Sequence, residues 1–309
     1  MNGDRELGAD GPGRAPRAVD VGSDLARGAL WVGWSFLVVS AAANLLVDVD
    51  AAAYWLIMAA WLASGTLAWW PAAEPAAARW VFGLTPASIV ELHQLGPLWA
   101  AVTDRAGVPG DRYALWVADA GDELSVPPRT GRVVAVTRAA LYVLPDAHLE
   151  AVLAHVLGHV LGGRDRVRSV LLWWSLPARA VAVAARRVKP VLRRVPALGC
   201  LAVGAIAAGL AGLLLSALLL GRWGDLVAWL VVIVVTAAAG PMLGWLDRRD
   251  DLRADRAAAD LGYGPRLLET LYGWQARQIQ TAPASRPTVA YRIAALERQL
   301  SPTRPHGLG

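Results

Sequence analysis

His155 and His159 stand four residues apart in Leu-Glu-Ala-Val-Leu-Ala-His-Val-Leu-Gly-His-Val-Leu-Gly-Gly, residues 149–163. On a helix that spacing puts both imidazoles on one face, one turn apart. Two such nitrogens suit a single metal ion. A metal-bound water that attacks an amide also needs a neighbouring base to take its proton. The residue after the first histidine is Val156, which offers none. With only 5 His in 309 residues, a chance His-x-x-x-His pair has a probability of only about 0.1.

Several elements must hold this pair in place. Residues 86–106 read as an amphipathic helix ending near Gly107. Tyr113–Ala118 and Arg132–Thr137 alternate and are β-branched in the manner of short strands, joined by a loop over 121–131 that contains Pro127 and Pro128. Arg138–Leu144 is a short helix broken by Pro145. Asp146 is expected to N-cap the two-histidine helix, which should stop at Gly162-Gly163.

The rest of the chain is too apolar for an ordinary soluble enzyme, at 56% hydrophobic and 18% charged residues with mean hydropathy +0.40. Four stretches approach the ~20 apolar residues that cross a bilayer: about 29–47, 52–70, 197–220 and 226–246. Asp48 and Asp50 mark a tight hairpin between the first two, and Gly240-Pro241 is a place for a kink in the fourth. The net charge of +5 comes from Arg clustered beside these spans, which argues for topology and against nucleic acid. Both short hairpin loops are poor in basic residues, so the positive-inside rule places both termini and the folded domain in the cytoplasm, with the spans in the plasma membrane. The patch 170–176 is too short to span and is interrupted by Pro177, and the Arg-rich run 179–194 is expected to lie on the membrane surface or as a solvated helix. The single Cys200 excludes a disulfide framework.

The His155–His159 helix resembles the metal helix of the zincins, and the expected architecture is a mostly α membrane protein with two transmembrane helical hairpins and a small α+β zincin-like (gluzincin) cytoplasmic domain. Residues 1–27 form a disordered tail and 28–70 the first hairpin. Residues 71–196 form the first part of the domain, 197–246 the second hairpin and 247–309 the rest of the domain. Within that last part, 246–262 and 265–280 read as helices, 285–296 as the last element and 301 onward as loose chain.

The chain resembles the membrane zinc metallopeptidase family that includes HtpX and the CAAX prenyl proteases. The resemblance rests on four segments in order: Gly-Arg-Val-Val-Ala-Val-Thr-Arg-Ala-Ala-Leu (131–141), residues 149–159, Asp-Leu-Arg-Ala-Asp-Arg-Ala-Ala (251–258), and Ser-Arg-Pro followed by Arg-Ile-Ala-Ala-Leu (285–296). It implies zinc held by His155, His159 and Asp251, where the family has Glu, and Asp255 as the residue that orients a ligating imidazole. Asp250 faces about 100° away on the same helix and is a poorer ligand. Val156 stands at the family's general-base Glu, and Arg286 where the family has His. Asp122 and Glu123 are the conceivable substitute bases, with no pattern behind them.

Two readings follow. One is a pseudopeptidase, embedded in the lipid bilayer, that binds or regulates membrane or unfolded proteins. The other is a working zinc endopeptidase of membrane-protein quality control. A relic scaffold without metal, with Asp251 a surface charge beside Arg248 and Arg249, stands against both. A transporter fits less well, because none of the four spans carries an ionisable residue near its middle.

Overall fold

The computed structural model describes residues 18–46, 51–70, 73–119, 125–126, 132–161, 165–194, 223–281 and 287–301, with scattered helical positions between 204 and 221. It is mostly helical with one small sheet, and it divides into two compact units. One comprises 84–163 and 250–309 with residues up to 22, the other 23–83 and 164–249.

The first unit carries a four-stranded sheet in the order β1-β2-β4-β3, where β1 is Leu84–Pro86, β2 Ala114–Ala118, β3 Ser125–Val126 and β4 Val133–Thr137. β2 and β4 run parallel, pairing Ala114 with Val133 through Ala118 with Thr137, while β1 and β3 lie antiparallel at the edges. All five residues of β4 are buried, as a central strand covered on both faces requires. β3 corrects the expectation of an unbroken loop over 121–131. Its two residues pair with Val136 and Ala135, a contact that no local pattern announces.

Of the helices, α1 spans Ala18–Leu46, α2 Ala51–Ala63, α3 Ala73–Trp80 and α4 Ile89–Ala106. α4 begins on a capping box, in which the Ser88 side chain accepts from Glu91 N–H and the Ser88 N–H donates to Glu91 at 2.7 Å. It ends on Gly107, whose φ of +66° only glycine adopts without strain. Leu95, Trp99 and Val102, spaced for one helical face, are buried against the core. α5 (Arg138–Val143) follows β4 directly, capped by the Thr137 hydroxyl on Ala140 N–H.

α6 (Asp146–Val160) is the central helix of this unit, and every residue from Ala151 to Val160 is buried. Asp146 is its first helical residue and not its cap. The cap position is Pro145, which fits because proline's fixed φ suits a helix entrance. The expected stop at Gly162-Gly163 lies outside the described residues.

The second unit holds α1 from Ser23 onward, α2 with a following 3-10 segment Ser64–Trp69, α3, α7 (Asp165–Arg194) and the start of α8 (Trp223–Asp260). Among the described residues, two helical stretches are long and apolar enough to cross a membrane, Leu25–Ala43 and Ala52–Trp69. Residues 18–27 belong to α1, which corrects the disordered reading for that part of the tail; 1–17 lie outside the described residues, as do Asp48, Asp50 and most of the third span. α8 runs unbroken through Gly240-Pro241, joining the fourth expected span and the helix after it.

α7 corrects a further expectation, because Pro177 does not break it. The Ser35 hydroxyl of α1 accepts from Ala178 N–H at 3.1 Å, so this N–H keeps a partner beside the proline. The same half of α7 donates from Trp173 Nε1 to Ser64 Oγ at 3.0 Å and from Trp174 Nε1 to the Leu62 carbonyl at 3.2 Å. Arg179, expected at the start of a surface run, is 8% exposed and stacks over Trp31 and Phe82. Large apolar side chains of this unit face outward instead, among them Trp55, Leu56, Trp69 and Trp70.

Candidate metal centre

α6 carries both histidines into the interior, where His155 is 2% and His159 3% exposed. Their Nε2 atoms approach to 3.2 Å with the rings at 82°. α8 packs across α6 at Gly158 and supplies the carboxylates. Asp251 Oδ1 is 3.6 Å from His159 Nε2. The remaining ring nitrogens face two further aspartates, with His155 Nδ1 2.7 Å from Asp255 Oδ1 and His159 Nδ1 3.2 Å from Asp250 Oδ2. A carboxylate only accepts, so each Nδ1 is the donor and each Nε2 lone pair is left to face the other.

That donor set fits a metal. With nitrogen–zinc distances of about 2.0–2.1 Å, nitrogens 3.2 Å apart subtend about 100° at a shared ion, near the tetrahedral angle. The three ligand atoms of His155, His159 and Asp251 lie within 4.8 Å of one another. A single ion spans at most about 4.2 Å between donors, so a short inward swing of the partly exposed Asp251 side chain completes the set. A carboxylate behind each imidazole is the usual support of a ligating histidine.

α10 (Pro287–Leu300), which follows α9 (Gly264–Thr281), adds a residue that the spacing of the histidines does not reveal. Arg292 grips Asp255 with two hydrogen bonds, Nη2 to Oδ1 at 2.6 Å and Nε to Oδ2 at 2.8 Å. Its Nη2 also lies 3.4 Å from both ring nitrogens of His155. The clue in sequence was the Arg-Ile-Ala-Ala-Leu segment, which did not say what the arginine touches. Asp250 is likewise engaged, by Arg253 one turn on. Asp250 therefore stands behind His159, turned away from the ligand position as the 100° offset on the helix requires. Val156 is fully buried and belongs to the apolar core of the unit. Arg286, Asp122 and Glu123 lie outside the described residues.

Burial, and then the Arg292 charge, push the His155 pKa down against the pull of Asp255. Burial alone would raise the Asp255 carboxyl, but Arg292 and His155 outweigh it and hold it well below the usual carboxylate range. Both shifts make acid destabilising. The unfolded chain takes a proton on His155 near pH 6.5 while the folded site resists it, so stability is lost as pH falls below that value. Asp255 acts in the same direction below its ordinary value of 3.8. Metal-free protein, kept so with chelator, is expected to melt at a lower temperature at pH 5.5 than at pH 7.5. An unchanged melting temperature across that interval would contradict the buried, neutral His155.

Two histidines on one helix and a carboxylate from a second, on a mostly helical scaffold, could hold a metal ion as a metallopeptidase-type centre does. The chain belongs to peptidase family M48, whose family model matches residues 100–300. No curated protein and no solved structure matches it. Family membership and the two apolar helices together point to a membrane protein of the zinc-metallopeptidase type.

Proposed function

We propose that this protein is an integral membrane zinc-metallopeptidase homologue that keeps its ion but has lost most or all peptide hydrolysis. It acts by binding or regulating membrane or unfolded protein segments. One observation carries the reading: Val156, at the position of the family's general base, is wholly buried in the apolar core. Zinc would supply carbonyl polarisation and a more acidic water. His155, His159 and Asp251 would hold it, but proton transfer needs a base, and losing one typically costs 10²–10⁴-fold in rate. Among the described residues, Asp250, Asp251 and Asp255 are the carboxylates at the centre. Asp250 and Asp255 are each engaged by an imidazole and a guanidinium, and Asp251 is needed as a ligand.

Both termini and the zincin-like unit face the cytoplasm in this reading, and the bilayer is the first partner. The outward-facing tryptophans and leucines of the second unit support the membrane setting. The second reading, a working zinc endopeptidase, is supported by the grouping of His155, His159 and Asp251 and by the carboxylates behind both imidazoles.

Full-length protein purified in detergent decides between them, by zinc per chain and by cleavage of an unfolded protein such as casein, with His159→Ala as control. About one zinc per chain, lost in the control, with no zinc-dependent cleavage is the expected result. Cleavage that disappears in the control would establish the peptidase instead. Protein without zinc in either form would overturn the metal reading and leave the scaffold.

A further inference from the structure

We infer that Arg292 is a positioning residue for the metal centre: it holds Asp255 against His155 and thereby fixes which nitrogen of that imidazole faces the ion. This rests on the reading that His155, His159 and Asp251 bind a metal.

The geometry is that of a three-part relay. A guanidinium offers its Nε and one Nη in a fixed fork that matches the two oxygens of a carboxylate. Arg292 uses that fork on Asp255, at 2.8 and 2.6 Å. Asp255 has little rotational freedom left, and its Oδ1 is 2.7 Å from His155 Nδ1. A neutral imidazole carries one N–H, and the carboxylate claims it for Nδ1, so the Nε2 lone pair points at the metal position. Arg292 Nη2, 3.4 Å from both ring nitrogens, also covers the ring and limits its swing.

His159 has a parallel relay through Asp250 and Arg253, and comparing the two gives the inference its direction. The His155 relay is the more enclosed, with Asp255 at 2% and Arg292 at 14% side-chain exposure, against 11% and 20% for Asp250 and Arg253. Its imidazole–carboxylate contact is also shorter, at 2.7 against 3.2 Å. Arg253 sits one turn from Asp250 on the same helix, so it does little to fix where that helix lies. Arg292 comes from another helix, 37 residues from Asp255 and 137 from His155, and ties three segments at the centre. Arg292 therefore matters more than Arg253.

Zinc affinity measured by competition with a chromophoric chelator, on full-length protein in detergent, tests this. Arg292→Met is expected to weaken zinc about 10- to 100-fold, the usual cost of losing an imidazole's supporting partner. Arg292→Lys should fall between, since an ammonium cannot fork across both oxygens, and Arg253→Met should weaken binding less than Arg292→Met. Nitrogen NMR of ¹⁵N-histidine-labelled, metal-free protein reads the tautomer directly: protonated Nδ1 at His155 in the natural chain, a mixture in Arg292→Met. If Arg292→Met fails to fold, Arg292→Lys decides alone. Unchanged zinc affinity and an unchanged His155 tautomer in the folded variant would overturn the inference. If the natural chain binds no zinc, the functional reading fails, while the tautomer comparison still decides the role of Arg292.

Discussion

Replacing Gly158 by alanine is expected to destabilise the protein by about 1–3 kcal/mol, although alanine is the better helix former by about 1 kcal/mol. A Cβ at this position would lie 2.8 Å from the carbonyl oxygen of Ala254 and 2.9 Å from its Cα. Both are backbone atoms, so no side chain can turn aside, and α6 and α8 must part. Position 158 adjoins His159, while Ala254 lies between Asp251 and Asp255, so the parting falls on the ligands themselves. Zinc affinity should drop along with the melting temperature. An alanine variant that melts at or above the natural temperature and binds zinc equally would show that the two helices do not meet here as described. The same contact bears on Asp251, whose side chain is one methylene shorter than the family's glutamate. Aspartate in place of glutamate requires the second helix to approach about an ångström closer, and a residue without a side chain permits it.

Restoring a carboxylate at position 156 should have two opposed effects. Val156 is fully buried among apolar neighbours, so Val156→Glu puts an ionisable group where it lacks solvent and partners, at a cost on the order of 3 kcal/mol in metal-free protein. On the proposed reading the same substitution should also bring weak zinc-dependent cleavage of an unfolded protein where the natural chain shows none. The gain is bounded by the 10²–10⁴-fold that acid–base help contributes, and it is reduced by the fraction of protein that unfolds. Thermal melting and casein cleavage on the same preparations separate the effects. Equal cleavage by both proteins would mean that the natural chain already has a base, and the pseudopeptidase reading would be abandoned.

The histidine pair, the strands β2 and β4 and the helix before them were legible because each is a local pattern, a period of 3.6 or 2 with a cap or a stop at its end. Asp251 was legible only through resemblance to a family motif. Asp250 lies about 100° round the helix from Asp251, yet its contact with His159 Nδ1 needed the packed helices to be visible. Arg292 acts across 137 residues from His155, and no spacing encodes that. The errors share one cause, a local rule overridden from a distance. Pro177 ought to end a helix, but a serine on α1 accepts the N–H of the next residue. Ser125 and Val126 ought to be loop, but β4 offers them an edge. Arg179 ought to face water or headgroups, but aromatic faces of Trp31 and Phe82 receive it.

The unit that bears the centre is sewn from two stretches of chain with residues 164–249 looped out between them. His159 on α6 and Asp251 on α8 stand 92 residues apart. An ion shared by α6 and α8 is thus a crosslink across a long loop, and chain-entropy arithmetic values the closure of such a loop at about 4–5 kcal/mol against the unfolded state. Hydrolysis plays no part in that service. With valine at position 156, a bound ion would still act as the staple that keeps an interrupted domain shut.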